Sequence, residues 1–128
     1  MTRVTRTRLL IVEDNEVYRS SLEMLLELEP RVEIVGLAAT GAEALAEAAT
    51  VRPDVALVDF RLPDMDGAQL TTALRSAWPH LAVVCLTAEI APHEHDAMLA
   101  AGAADVVEKG ASVNRLVTSV LATSRDSE

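Results

Sequence analysis

Short unbroken apolar runs alternate along the chain with longer stretches in which apolar residues recur every three to four positions. The runs Leu9-Leu10-Ile11-Val12, Val55-Ala56-Leu57-Val58 and Val83-Val84-Cys85-Leu86 have the character of strands covered on both faces. With two more mixed segments they predict strands near 8–13, 32–38, 54–59, 81–87 and 104–108. Helices are predicted between them, near 15–29, 41–51, 66–77, 92–101 and 112–124. In the first helix Tyr18, Leu22, Leu25 and Leu26 keep a helical spacing that breaks at Glu29, and Pro30 stops it. The second follows Thr40-Gly41 and is rich in the good helix formers Ala, Glu and Leu. Asp66 or Gly67 opens the third and Trp78-Pro79 ends it. Pro92 suits a first helical turn, Gly102 a left-handed helix end, and Ser112 a cap.

Strict alternation of strand and helix implies right-handed crossovers and a doubly wound parallel α/β sheet of five strands with five helices. At 128 residues the chain is expected to be one domain, 1–128, with its core at about 8–122 and flexible ends at 1–7 and 123–128. It is 50% hydrophobic but only 2% aromatic, so Ala, Val and Leu must fill the core.

A formal net charge of -9 argues against a nucleic-acid or anionic-membrane surface on this chain. The one basic cluster, Arg3, Arg6 and Arg8, reads as a solvated tail. No apolar run is long enough to span a bilayer. The single Cys85 cannot form an internal disulfide and reads as a buried core thiol, which fits a cytoplasmic location. His93 and His95 are two residues apart, so they do not share a helix face as a metal pair would. Met24 and Leu28 belong either to the core edge or to a partner surface.

The strand ends carry the chemistry. Glu13-Asp14 follows the first, Asp59 ends the third, Thr87 the fourth, and Lys109, the sole lysine, follows the fifth. Each has a plainer reading alone: Asp14 or Asn15 as a helix cap, Asp59 as a turn aspartate, Thr87 as a β-branched strand residue, Lys109 as a surface charge. In an open parallel sheet, however, ligands bind outside the carboxyl ends of the strands. One crevice would then hold three carboxylates, a hydroxyl and an ammonium. Carboxylates suit Mg²⁺, and a hydroxyl and an ammonium suit phosphoryl oxygens. An ionised carboxylate at Asp59 is a competent nucleophile toward phosphorus.

Glu13-Asp14, the segment Asp59-Phe60-Arg61-Leu62-Pro63-Asp64-Met65-Asp66-Gly67, Thr87-Ala88 and the stretch from Ala101-Gly102 to Glu108-Lys109 together resemble the receiver domain of bacterial two-component response regulators. The resemblance runs from about Arg8 to Ala122. The segment Val32 to Ala38, with Gly41 and Glu43-Ala44-Leu45, is most similar to receivers that precede a helix-turn-helix output domain. The resemblance implies a flavodoxin-like fold with strand order 2-1-3-4-5. It implies that Asp59 accepts a phosphoryl group from a histidine kinase or phosphotransfer protein. Asp14 and Asp59 would bind Mg²⁺, Glu13 would reach it through water, and the Arg61 backbone carbonyl would complete the protein ligands. Thr87 and Lys109 would hold phosphoryl oxygens and shift the face made by helix four, strand five and helix five between inactive and active states. A phosphorylation-dependent homodimer through that face is plausible by resemblance.

Three positions depart from the family pattern. Val106 stands where an aromatic switch residue is common, which puts a rotating-aromatic readout in doubt. Gly110 stands where a proline often follows the lysine, so a looser loop is expected. Arg61 and Glu89 occupy the variable positions flanking the phosphorylation site, and we expect them to pair across its mouth. Such a domain catalyses its own phosphorylation and dephosphorylation and is not an independent enzyme. Two alternatives remain: a degenerate module that only binds partners, and a Mg²⁺-dependent aspartyl phosphatase. The latter typically needs an aspartate two residues after the nucleophile, where this chain has Arg61.

Overall fold

The computed structural model describes residues 5–126, with side chains to Ser124. Strands and helices alternate as β1 (Thr7–Val12), α1 (Glu16–Glu27), β2 (Val32–Ala38), α2 (Gly41–Val51), β3 (Val55–Asp59), α3 (Gly67–Ala77), β4 (Ala82–Thr87), α4 (Pro92–Ala101), β5 (Asp105–Glu108) and α5 (Val113–Asp126). All neighbouring strands pair in parallel in the order β2-β1-β3-β4-β5. This is the doubly wound sheet expected from the sequence, and every element falls within a few residues of its expected place.

Strand pleating divides the core between two faces. Leu9 and Ile11 of β1, with Val55 and Leu57 of β3, pack beneath Leu22 and Leu26 of α1 and Leu116, Val117 and Val120 of α5. Leu10, Val12, Ala56 and Val58 pack on the other face beneath Ala44 and Ala48 of α2 and Leu70 and Leu74 of α3. Strands β3 and β4 are buried along their whole length, which is why their sequences show no polar alternation. Each fully buried Leu contributes about 1.5–3 kcal/mol relative to exposure. A third, smaller cluster of Phe60, Cys85, Met98 and Ala103 seats α4. The Cys85 thiol is fully buried and its pKa is pushed up to about 12, first by burial and then by the nearby Asp59 charge, so it stays protonated.

Polar contacts set the element ends. Asn15 caps α1, Thr40 caps α2, and Asp66 forms a capping box with Gln69 at α3. Gly102 ends α4 at φ 108°, a conformation that strains any residue with a Cβ. Gly67 is required by close approach: a Cβ there would lie 2.9 Å from Phe60 Cα and 3.1 Å from the Asp59 carbonyl oxygen. Its N–H donates to the Phe60 carbonyl at 2.6 Å, drawing the start of α3 against the end of β3.

Three expectations change. Residues 1–4 and 127–128 lie outside the described residues, but Thr7 belongs to β1, where its N–H donates to the Arg31 carbonyl, and α5 continues to Asp126. Regular secondary structure among the described residues therefore runs from Thr7 to Asp126. Of the basic cluster, Arg3 lies outside the described residues, and Arg6, exposed ahead of β1, donates to the Val32 carbonyl at 2.9 Å, whereas Arg8 lies within β1, half-buried, and donates to the Val51 carbonyl, so Arg8 is not a solvated tail residue. Met24 on α1 and Leu28 at its C-cap are exposed, at 69% and 79%, and so do not belong to the core edge.

Candidate functional site

The strand order reverses direction about β1: one connection leads to β2, and the rest of the sheet grows from the other side through β3. The carboxyl ends of β1 and β3 flank that point, and a crevice there is where such folds bind ligands. A cleft of about 690 Å³ opens at this place, lined among others by Glu13, Asp14, Asp59, Arg61, Thr87 and Lys109. The structure thus brings together all the residues singled out at the strand ends.

Asp59 is only 6% exposed. Its Oδ1 accepts the Arg61 N–H at 3.3 Å and its Oδ2 lies 3.4 Å from Lys109 Nζ. Glu13 is 1% exposed. Its Oε2 accepts the Asn15 N–H at 3.0 Å, and Oε1 faces the Lys109 ammonium at 2.6 Å without a well-directed hydrogen bond. Asp14 is exposed at the rim, and one oxygen from each of Glu13, Asp14 and Asp59 lies within 4.8 Å of the others. Burial pushes the Glu13 carboxyl above its ordinary value, and the Asp59 charge adds to that, against the opposing pull of Lys109. Burial alone would lower the Lys109 ammonium, but the Glu13 and Asp59 carboxylates outweigh it and hold it above its ordinary value. The corner is an acidic pocket with three hard-oxygen donors and one cation, paired at 2.6 Å with the buried Glu13.

Thr87 is buried at the end of β4, and its hydroxyl donates to the Glu89 carbonyl at 3.1 Å. The Thr87 carbonyl accepts the Lys109 N–H at 2.8 Å, which sets the β5 end beside β4. The turn after Lys109 is closed by Ala111 N–H donating to the Glu108 carbonyl at 3.0 Å, so the loop carrying Gly110 is hydrogen-bonded despite lacking proline. Val106 is half-buried and packs with Ile90 against the Phe60, Cys85, Met98 and Ala103 cluster, which leaves the usual aromatic position aliphatic.

The expected Arg61–Glu89 pair is not what the structure forms. Arg61 Nη2 binds Glu94 Oε1 at 3.0 Å, and its guanidinium lies 5.6 Å from the Phe60 ring centroid. Glu94 wins because the same Oε1 accepts the Ala91 N–H at 3.0 Å, which fixes that carboxylate at the start of α4 facing Arg61. Glu89 is engaged instead through its carbonyl, by Thr87. Sequence reasoning also missed the role of Tyr18, whose ring centroid lies 4.6 Å from Lys109 Nζ. Its helical spacing marked it as a core position and gave no sign of the lysine. Asp64 caps a distant helix: it accepts the N–H groups of Gly41 and Ala42 at 2.8 and 2.9 Å, and these bonds hold its carboxyl below its ordinary value.

Residues 9–121 match the response regulator receiver domain family. The chain belongs to that family, and it has the fold, strand order and acidic pocket of a receiver. It is 34% identical over 118 residues to the response regulator protein VraR of Staphylococcus aureus (strain NCTC 8325 / PS 47), covering 92% of this chain and 56% of that protein. This chain thus spans little more than half the length of such relatives. Among solved structures, the signal receiver domain of NarL from Mycobacterium tuberculosis superposes with a TM-score of 0.90 at 33% identity, covering 94% of this chain and 98% of that one. A CheY-like receiver domain protein from Methanospirillum hungatei JF-1 gives 0.86 at 27% identity, covering 96% and 97%. No helix among the described residues is long and apolar enough to cross a membrane.

Proposed function

We propose that this receiver domain is a phosphorylation switch in which Asp59 accepts a phosphoryl group from the phosphohistidine of a histidine kinase or phosphotransfer protein. The observation that carries the reading is the buried corner itself: the Asp59 carboxylate, two further carboxylates within 4.8 Å, and the Lys109 ammonium 3.4 Å away. An Asp59 oxygen forms the new P–O bond as the P–N bond breaks, and the imidazole nitrogen leaves with the bonding pair. Lys109 lies where it can neutralise a phosphoryl oxygen on Asp59. The Thr87 hydroxyl reaches such an oxygen once it gives up the Glu89 carbonyl. A phosphoryl group adds about −1.5 to −2 charge, enough to draw both side chains and to bias the α4–β5–α5 face between two states.

The three carboxylates fit Mg²⁺, a hard cation that takes few carboxylates and keeps water. Asp14, Asp59 and the Arg61 carbonyl would hold it, with Glu13 acting through water. When bound, Mg²⁺ supplies a positive charge that offsets carboxylate repulsion and stabilises charge on the phosphoryl oxygens. Such a domain is a signalling switch and not a classical enzyme, and its output passes to a DNA-binding or other partner segment.

Intact mass after incubation with Mg²⁺ and acetyl phosphate tests the reading. One phosphoryl adduct is expected, lost in Asp59→Asn and in EDTA. No adduct, with no Mg²⁺ binding by titration, would turn the assignment to an interaction module that is never phosphorylated.

A further inference from the structure

Lys109 is the only lysine in the chain, and three residues from different elements face its ammonium. Glu13 at the end of β1 and Asp59 at the end of β3 face its ammonium at 2.6 and 3.4 Å. From α1, the Tyr18 ring faces the same Nζ with its centroid at 4.6 Å, well inside cation–π range. The Tyr18 hydroxyl also donates to the Lys109 carbonyl, at 3.4 Å. The backbone that carries the Tyr18 ring is anchored at the helix start, where its N–H donates to the Asn15 cap oxygen at 2.9 Å.

We propose that Tyr18 is a positioning residue for phosphoryl transfer, its ring face holding the Lys109 ammonium between Glu13 and Asp59. This rests on the reading of Asp59 as phosphoacceptor. A lysine side chain has four soft torsions and pays a large entropic cost to be fixed. The nearer carboxylate, Glu13, pulls the ammonium away from the acceptor. The ring offers attraction from a third side without a competing formal charge, so the ammonium stays within a short swing of an oxygen on Asp59. Fixing a charge-stabilising group before the reaction is worth rate, because its reorganisation is already done.

The single lysine makes the test direct. Labelling lysine with ¹³C at Cε gives one resonance, whose ε-protons are shifted upfield by a ring current when the ammonium sits over Tyr18. Phosphorylation by acetyl phosphate with Mg²⁺ is timed beside it. Tyr18→Phe keeps the ring and is expected to keep both the shift and the rate within about two-fold. Tyr18→Leu is expected to lose the shift and to slow phosphorylation about five-fold, on the scale of one cation–π contact. Should the Leu variant not fold, mono-, di- and trifluorinated phenylalanines at position 18 keep ring size while weakening the ring face, and the rate should fall stepwise from that of Tyr18→Phe. A flat fluorination series, or a Leu variant at the wild-type rate, overturns the proposal while the wild type is still phosphorylated. A wild type that takes no phosphoryl group overturns the phosphoacceptor reading, and this proposal with it.

Discussion

Glu13, Asp14 and Asp59 place three carboxylates around one ammonium, and the balance of charge in that corner is unfavourable without a cation. Two unit charges under 5 Å apart interact by about 3–4 kcal/mol at an effective dielectric of about 20. Asp59 meets two such repulsions and one attraction, from Lys109 at 3.4 Å. Asp59→Asn is therefore expected to raise stability in EDTA by about 1 kcal/mol, as seen in urea unfolding. Mg²⁺ should then stabilise the wild type more than the variant, since binding to the native state adds stability by mass action. Equal Mg²⁺ effects on both would remove Asp59 from the cation site. These residues were readable in the sequence because each sits at the end of an apolar run, where topology alone decides that the ends converge. Glu94 and Tyr18 were not. Arg61 and Glu94 lie 33 positions apart, and Tyr18 and Lys109 lie 91 apart. No local pattern marks either pair.

At the scale of elements, the punctuation of the sequence was legible because caps and stops are local chemistry. Asp66 with Gln69, Pro92 and Gly102 each act within a few residues of themselves. Asp66→Ala should cost about 1 kcal/mol, measured by denaturant unfolding. Contacts between elements behave differently. The Arg61–Glu94 pair joins the β3–α3 loop to α4, but the Arg61 side chain is 67% exposed. A double-mutant cycle with Arg61→Ala and Glu94→Ala should give a coupling below about 1 kcal/mol in stability. A larger value would mean the loop and α4 unfold as one piece. Asp105 fastens β5 to α5 more firmly: its carboxylate accepts from Ser119 Oγ at 2.7 Å and pairs with Arg115 at 3.0 Å. Burial would raise its carboxyl, but Arg115, Ser119 and the Val106 N–H outweigh burial and hold it below the ordinary 3.8. A depressed folded value means the stabilisation is full above the ordinary carboxylate value and is lost as pH falls through the folded one. Urea midpoints at about pH 5 and about pH 3 should therefore fall further apart for the wild type than for Asp105→Asn. Identical shifts would show that Asp105 carries no acid-sensitive stability.

Across the whole molecule, the helices are not equally anchored, and this sets which of them can move. Among its buried residues α3 counts Gly67, Leu70, Thr71 and Leu74, whereas α4 buries Met98 alone. Beneath α4 lies the smallest core cluster, completed by Ile90 and Val106, where a large aromatic side chain is more usual. The segment leading into α4 is fastened by three polar contacts, Thr87 to the Glu89 carbonyl, Glu94 to Ala91, and Glu94 to Arg61. On the proposed function, a phosphoryl group on Asp59 would compete for the first directly. Regions with few buried apolar contacts open at low free energy and are the ones that respond to ligands. Hydrogen exchange with Mg²⁺ and beryllofluoride, a stand-in for the phosphoryl group, should change protection most over residues 88–101 and least in α2 and β2. With Val106 aliphatic, we expect that change to arise from loosening or shifting of α4. Replacing Thr87 by Ala should leave binding of the phosphoryl mimic measurable while reducing the response over 88–101, if the hydroxyl links Asp59 to that segment as proposed. A response of full size in Thr87→Ala would assign the coupling to Lys109 and β5, through the bond from Lys109 N–H to the Thr87 carbonyl, which that substitution retains.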